Sequence, residues 1–162
     1  MSNFLEQLVA EWYETQKYFV RRNVLVGPRK NGGYEGELDV VSFNTQKKSL
    51  VHIEASMDAN SWSVREARFK RKFEIGRKYI PGLFEGFDLP PPRQIALLAY
   101  GNTATRKSVG DAELLTVADF MAGIRKELGS RKVLRSAISS ARYARLQERG
   151  LPSCPRTPTP TP

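Results

Sequence analysis

The stretch GELDVVSFNTQKKSLVHIEAS (36–56) places Glu37, Asp39, His52 and Glu54 in two short strand-like runs joined by a polar turn. Side chains of a strand alternate between its two faces, so Glu37, Asp39 and Val41 are expected on one face of the first strand. By the same rule His52, Glu54 and Ser56 share a face of the second. A turn centred between Gln46 and Lys47 pairs residues whose numbers add to 93. Asp39 then faces Glu54, Glu37 faces Ser56 and Val41 faces His52. Directly opposed residues of an antiparallel pair have Cβ atoms roughly 4.5–5.5 Å apart, and like charges there repel. Two carboxylates so placed call for a proton, a basic side chain or a bound cation. Mg²⁺ and Mn²⁺ take oxygen ligands, and one or two carboxylates commonly hold Mg²⁺ where phosphates are processed. Such an ion polarises a phosphodiester and acidifies water for attack. The plain alternative is a solvated sheet face. Against it, the flanking segments are apolar, and the helix that follows should cover one side.

The elements that must position these groups are legible around them. Residues 3–17 set Phe4, Leu5, Leu8, Val9 and Trp12 on one stripe, which predicts an amphipathic helix capped by Ser2 or Asn3. YFVRRNVLV (18–26) reads as a strand and GPRKNGGYEG (27–36) as a glycine-rich loop. After the hairpin, a second helix is expected over 62–80, ended by Pro81, with Val64, Phe69, Phe73 and Tyr79 as its buried stripe. PGLFEGFDLPPPR (81–93) is a broken connection, and QIALLAYG (94–101) reads as a strand buried on both faces. A further strand is expected at 112–117, then a helix at 117–128 with Gly129 as its stop. Alternation of this kind predicts an α/β single domain with a mixed central β-sheet flanked by helices. No internal repeat is present.

Composition bounds the function. The 162 residues suffice for one domain with a real core. No apolar run is long enough to span a bilayer, and no signal-peptide pattern opens the chain, so a cytoplasmic protein without membrane partners is expected. The single Cys154 leaves nothing for an internal disulfide. A net charge of +9, with a sequence pI near 9.9, favours an anionic partner, nucleic acid first.

At this point the residues resemble the PD-(D/E)XK nuclease superfamily, the restriction-endonuclease-like fold that includes archaeal Holliday-junction resolvases and Mrr-type enzymes. The resemblance covers roughly residues 4–100. Asp39 in GELDVV matches the family's metal-binding Asp, and Glu54 in VHIEAS matches the Glu of its second motif. Glu6 in the first helix looks like the helical Glu of resolvase-type members, with Glu11 and Glu14 as alternatives. The resemblance implies a Mg²⁺- or Mn²⁺-dependent DNA endonuclease, with Asp39, Glu54 and Ser56 as catalytic residues. The metal would be held by Asp39 and Glu54, helped by Glu6 or Glu37. One departure stands out: the family's lysine, two residues after the Glu, is Ser56 here. A hydroxyl hydrogen-bonds water but supplies no charge, so Arg65, Lys70 or Lys72 from the next helix are candidate substitutes. The alternative is a catalytically inactive DNA-binding module on the same fold. A third reading is a basic protein-interaction domain with ordinary surface carboxylates.

The helix WSVREARFKRKFEIGRKYI (62–80) is the expected nucleic-acid surface, through Arg65, Arg68, Lys70, Arg71 and Lys72. Cationic side chains there displace counterions from the phosphate backbone. His52 is either a general base or a polar residue at the end of the site. Trp62 anchors the helix start or stacks on a base, and NGG (31–33) is a turn leading to the site. The expected organisation is a nuclease-like domain over 1–129, a basic helical extension over 130–150 and a Pro/Thr tail over 151–162. Resolvases and many restriction enzymes act as dimers, so a homodimer is an expected assembly, although no segment identifies itself as the interface.

Overall fold

The sheet is built outward from the carboxylate hairpin. The computed structural model describes residues 4–100 and 106–130. Its elements run α1 (Phe4–Thr15), β1 (Phe19–Pro28), β2 (Tyr34–Asn44), β3 (Ser49–Ser56), α2 (Trp62–Leu83), β4 (Arg93–Leu98), β5 (Ser108–Val109) and β6 (Ala112–Thr116). A third helix, α3, occupies 117–130. The expected cap at Ser2 or Asn3, the basic stretch beyond 130 and the tail with Cys154 lie outside the described residues. Residues 1–121 form one compact unit that holds all six strands, α1 and α2. In the second unit, 122–162, the described residues are helical.

The six strands lie in the order β1-β2-β3-β4-β6-β5. The first three form an antiparallel meander. β4 runs parallel to β3 and β6 parallel to β4, while β5 pairs antiparallel with β6. A parallel neighbour demands a crossover, which α2 supplies between β3 and β4. The architecture is therefore α/β with a mixed sheet, as expected. The stretch around NGG is tighter than a loose loop: Gly32 and Gly33 adopt φ of +87° and +77°, closing β1 onto β2. At the β2–β3 turn, Asn44 Oδ1 accepts the Lys47 N–H at 2.8 Å, and its Nδ2 donates to the Lys17 carbonyl at 3.0 Å.

α2 lays Arg65, Phe69, Phe73, Gly76 and Ile80 against the sheet. Phe69 and Phe73 pack with Ala96, Leu98, Val109 and Ala112, and Ile80 with Val41, Phe43, Leu50 and Phe84. Three expectations for the helices are corrected. Val64 is 51% exposed rather than buried, because the inward row begins at Arg65. Pro81 lies inside α2, which continues to Leu83. A proline this close to the end sacrifices little of the ladder, and the Phe84 N–H closes onto the Pro81 carbonyl at 3.4 Å. Gly129 does not stop α3, which is helical through residue 130. Its cost of about 1 kcal/mol is offset by good helix formers such as Arg125, Lys126, Glu127 and Leu128.

Strict alternation along β2 also fails. From Leu38 to Asn44 every residue of β2 is buried, so both faces of this part of the strand are covered. On the neighbouring β1, Asn23 has φ of +50° and interrupts the ladder between the pairs Arg22↔Val40 and Val24↔Leu38. Register places Asn23 opposite Asp39.

Candidate active site

The hairpin register is the expected one, with ladder pairs from Val40↔Ile53 to Asn44↔Ser49 that each add to 93. One step further, where Asp39 would face Glu54, the side chain replaces the ladder. Asp39 Oδ2 accepts the backbone N–H of Ala55 at 2.8 Å. Its other oxygen, Oδ1, accepts from Lys72 Nζ at 2.8 Å, and the same ammonium bonds Glu54 Oε2. Lys72 thus spans the two carboxylates. Glu54 is fully buried and the Asp39 side chain is 8% exposed, whereas Lys72 is 31% exposed.

The second Glu54 oxygen, Oε1, lies 2.7 Å from His52 Nε2. His52 in turn meets Gln94, whose orientation is settled independently. Arg77 donates to Gln94 Oε1 at 2.5 Å, and Gln94 Nε2 donates to the Phe73 carbonyl at 2.9 Å. The amide nitrogen therefore faces His52 Nδ1, at 3.3 Å, as a donor. Nδ1 accepts, so Nε2 carries the proton that reaches Glu54. The His52 ring packs edge-on to Phe73 and lies against α2 at Gly76, where any Cβ would overlap it.

Burial shapes the charges. Burial and the nearby Glu54 push Asp39 up to about 7, although Lys72 opposes the shift. Burial also acts to raise Glu54, but the hydrogen bond from His52 and the charge of Lys72 outweigh it and hold Glu54 below the usual range. Lys72 loses solvation, yet its two carboxylate partners raise it above the ordinary lysine value.

Beside this network lies a second one. Ser56 Oγ donates to Asp58 Oδ2 at 2.6 Å and accepts from Arg68 at 2.9 Å. Arg68 also pairs with Asp58, and Arg65 donates to the Asp58 carbonyl at 2.5 Å. Burial opposes ionisation of Asp58, but the hydrogen bonds from Ser56 and Arg68 keep its carboxyl far below the usual range. Arg68 and Lys72 together wall two shallow hollows of about 230 Å³ each. One is completed by Ser56, Asp58 and Phe69, the other by Glu35, Glu37, Arg71 and Ile75.

Asp39 and Glu54 thus come together, with Ser56 close by in a network of its own. Lys72, among the three bases open for the missing lysine, is the one that meets both carboxylates. Glu6 is buried and accepts from Asn23 at 2.8 Å. Glu37 is half-buried at the rim of a hollow. Neither joins the pair: among the described residues no three His, Cys, Asp or Glu side chains gather to hold a metal ion. The protein's own share of a Mg²⁺ or Mn²⁺ site would be Asp39 and Glu54. Their oxygens fit such an ion in kind, since it keeps most of its ligands as water and substrate.

The nucleic-acid set is corrected at Arg65, which is 2% exposed and turned inward because Asp58 and Trp62 hold it. Lys70 and Arg71 are exposed on α2. Trp62 has the guanidinium groups of both Arg65 and Arg106 over its ring, so that ring is already engaged. Sequence reasoning missed Gln94 and Gly76, and it counted Arg77 only among the basic residues of the 62–80 helix, not as the partner of Gln94. The one available signal was a glycine in the middle of a long, otherwise glycine-poor helix. Comparison with protein-family models, curated proteins and solved structures finds no match.

Proposed function

We infer that this protein is a Mg²⁺- or Mn²⁺-dependent phosphodiesterase acting on DNA, of the PD-(D/E)XK kind. The observation that carries this reading is the pairing of Asp39 with Glu54 through Lys72, at the side of a basic helix. A bound divalent ion supplies Lewis acidity toward the phosphate and lowers the pKa of water. The chain's own residues do the rest. Asp39 and Glu54 would hold the ion, Asp39 being fixed by the Ala55 N–H and Glu54 by His52. Lys72, which lies between the carboxylates and is tethered on α2, would take the charge role that Ser56 cannot fill. Ser56 contributes by holding Asp58 and Arg68 in place at the edge of the hollow. Lys70, Arg71 and Arg68 face the phosphate backbone, where each contact releases counterions. No helix among the described residues is long and apolar enough to cross a membrane. A homodimer would suit cutting of both strands.

A second reading has its own support. Lys72 saturates the two carboxylates as they stand, which suits a DNA-binding module that keeps the fold without cleaving. Nicking of supercoiled plasmid with Mn²⁺, with EDTA and with Glu54→Ala separates the two. Metal-dependent nicking that vanishes in the variant is the expected result. DNA retention without nicking at any metal concentration would leave the binding module, and no DNA affinity at low salt would overturn both.

A further inference from the structure

Every constraint on His52 bears on one atom of Glu54. A buried carboxylate is kept in place by its hydrogen bonds, and losing one exposes it to reorientation. Glu54 accepts through Oε1 from His52 and through Oε2 from Lys72. Of these two donors, Lys72 is partly solvent-exposed and sits on a long flexible stem. His52 is fully buried, and its ring is fixed on four sides. Gln94 donates to Nδ1, Phe73 packs edge-on, Gly76 leaves room on α2, and Glu54 accepts at Nε2. Gln94 is itself oriented by Arg77 and by the Phe73 carbonyl.

We propose that His52 is a positioning residue, held in its Nε2–H form by Gln94, that keeps Glu54 Oε2 aimed at Asp39 whether or not Lys72 is present. The proposal rests on the metal-site reading above and deepens it: when the ammonium moves aside, the acceptor pair is already formed. The relay also runs outward to Arg77, which is exposed, so it ties the buried site to the solvent-facing side of α2. Ligand orientation through such outer partners typically governs metal affinity by about 10- to 100-fold.

His52 is the only histidine of the chain, so its ring nitrogens can be assigned without ambiguity by ¹⁵N NMR of the intact protein. The wild type should show the Nε2–H form, and a predominant Nδ1–H form would overturn the relay. Binding of Mn²⁺ alone is then measured by calorimetry for the wild type, His52→Phe and His52→Gln, with thermal unfolding as a check on the fold. Phenylalanine keeps the ring but removes the donor; glutamine keeps a donor. Affinity should fall about tenfold or more in His52→Phe and recover in part in His52→Gln. Unchanged affinity in His52→Phe, or equal loss in both folded variants, would overturn the positioning role. Should His52→Phe not fold, Gln94→Leu serves instead, with a smaller loss of affinity expected and an unchanged affinity counting against the relay. A wild type that binds no Mn²⁺ while showing the Nε2–H form would overturn the metal reading, and with it the purpose assigned to Glu54.

Discussion

Replacing Asp39 by asparagine should make the protein more stable and, in the proposed function, inactive. Asp39 titrates near 7 when folded against an ordinary value of 3.8, chiefly because it is buried beside Glu54. The folded state therefore binds a proton that the unfolded chain has already released between about pH 4 and 7. Stability contributed by this group is fully present below about pH 4 and falls as pH rises, levelling off above about 7. At 1.36 kcal/mol for each unit, the raised value corresponds to about 4 kcal/mol at most. Local relaxation and water entry reduce this, so a gain of about 2–4 kcal/mol is expected for Asp39→Asn at pH 8 relative to its effect at pH 4. Asparagine retains an acceptor for the Ala55 N–H and is neutral at every pH. Urea unfolding of both proteins from pH 4 to 9 measures the difference directly. Glu54 and Asp58, whose depressed values make them lose stability as pH falls, are common to both proteins and largely cancel. A difference that stays flat between pH 4 and 8, or a variant less stable at pH 8, would refute the reasoning. A group that costs stability where it is ionised is expected when it serves function instead of folding.

Lys72→Met should destabilise the fold at pH 8 by about 1–3 kcal/mol, a value reduced from that of a fully buried pair because Lys72 is partly exposed. The loss should shrink at pH 5, where Asp39 is protonated, and paired unfolding curves check this. Gly76→Ala gains about 1 kcal/mol of helix propensity but forces a methyl into the His52 ring; a net loss of about 1–3 kcal/mol in urea unfolding is expected. For DNA binding, Lys70→Ala and Arg71→Ala should each lower the slope of log affinity against log salt by about 0.9 if each side chain contacts one phosphate. Arg65→Ala should leave that slope unchanged and lower the melting temperature instead, since its side chain is buried against Asp58 and Trp62.

The sequence by itself determined the hairpin. A polar turn between two apolar runs admits few registers, and the correct one brings Asp39 to Glu54 because strand pairing is local and follows residue count. The order of elements and the mixed α/β sheet were legible for the same reason, since each element carries its own periodicity and its own breakers. β5, only two residues long, was too short to show any period. What the tertiary structure alone decided is which side chains of α2 turn toward the carboxylates. Arg65, Lys70 and Lys72 are equally basic in sequence. The rotation of α2 about its axis is set by Phe69, Phe73, Gly76 and Ile80 seating on the sheet. That seating buries Arg65 against Asp58, leaves Lys70 in solvent and delivers Lys72 between Asp39 and Glu54. The partnership of His52 with Gln94 depends likewise on β3 and β4 lying side by side across a crossover, where no local count in the sequence links the two residues.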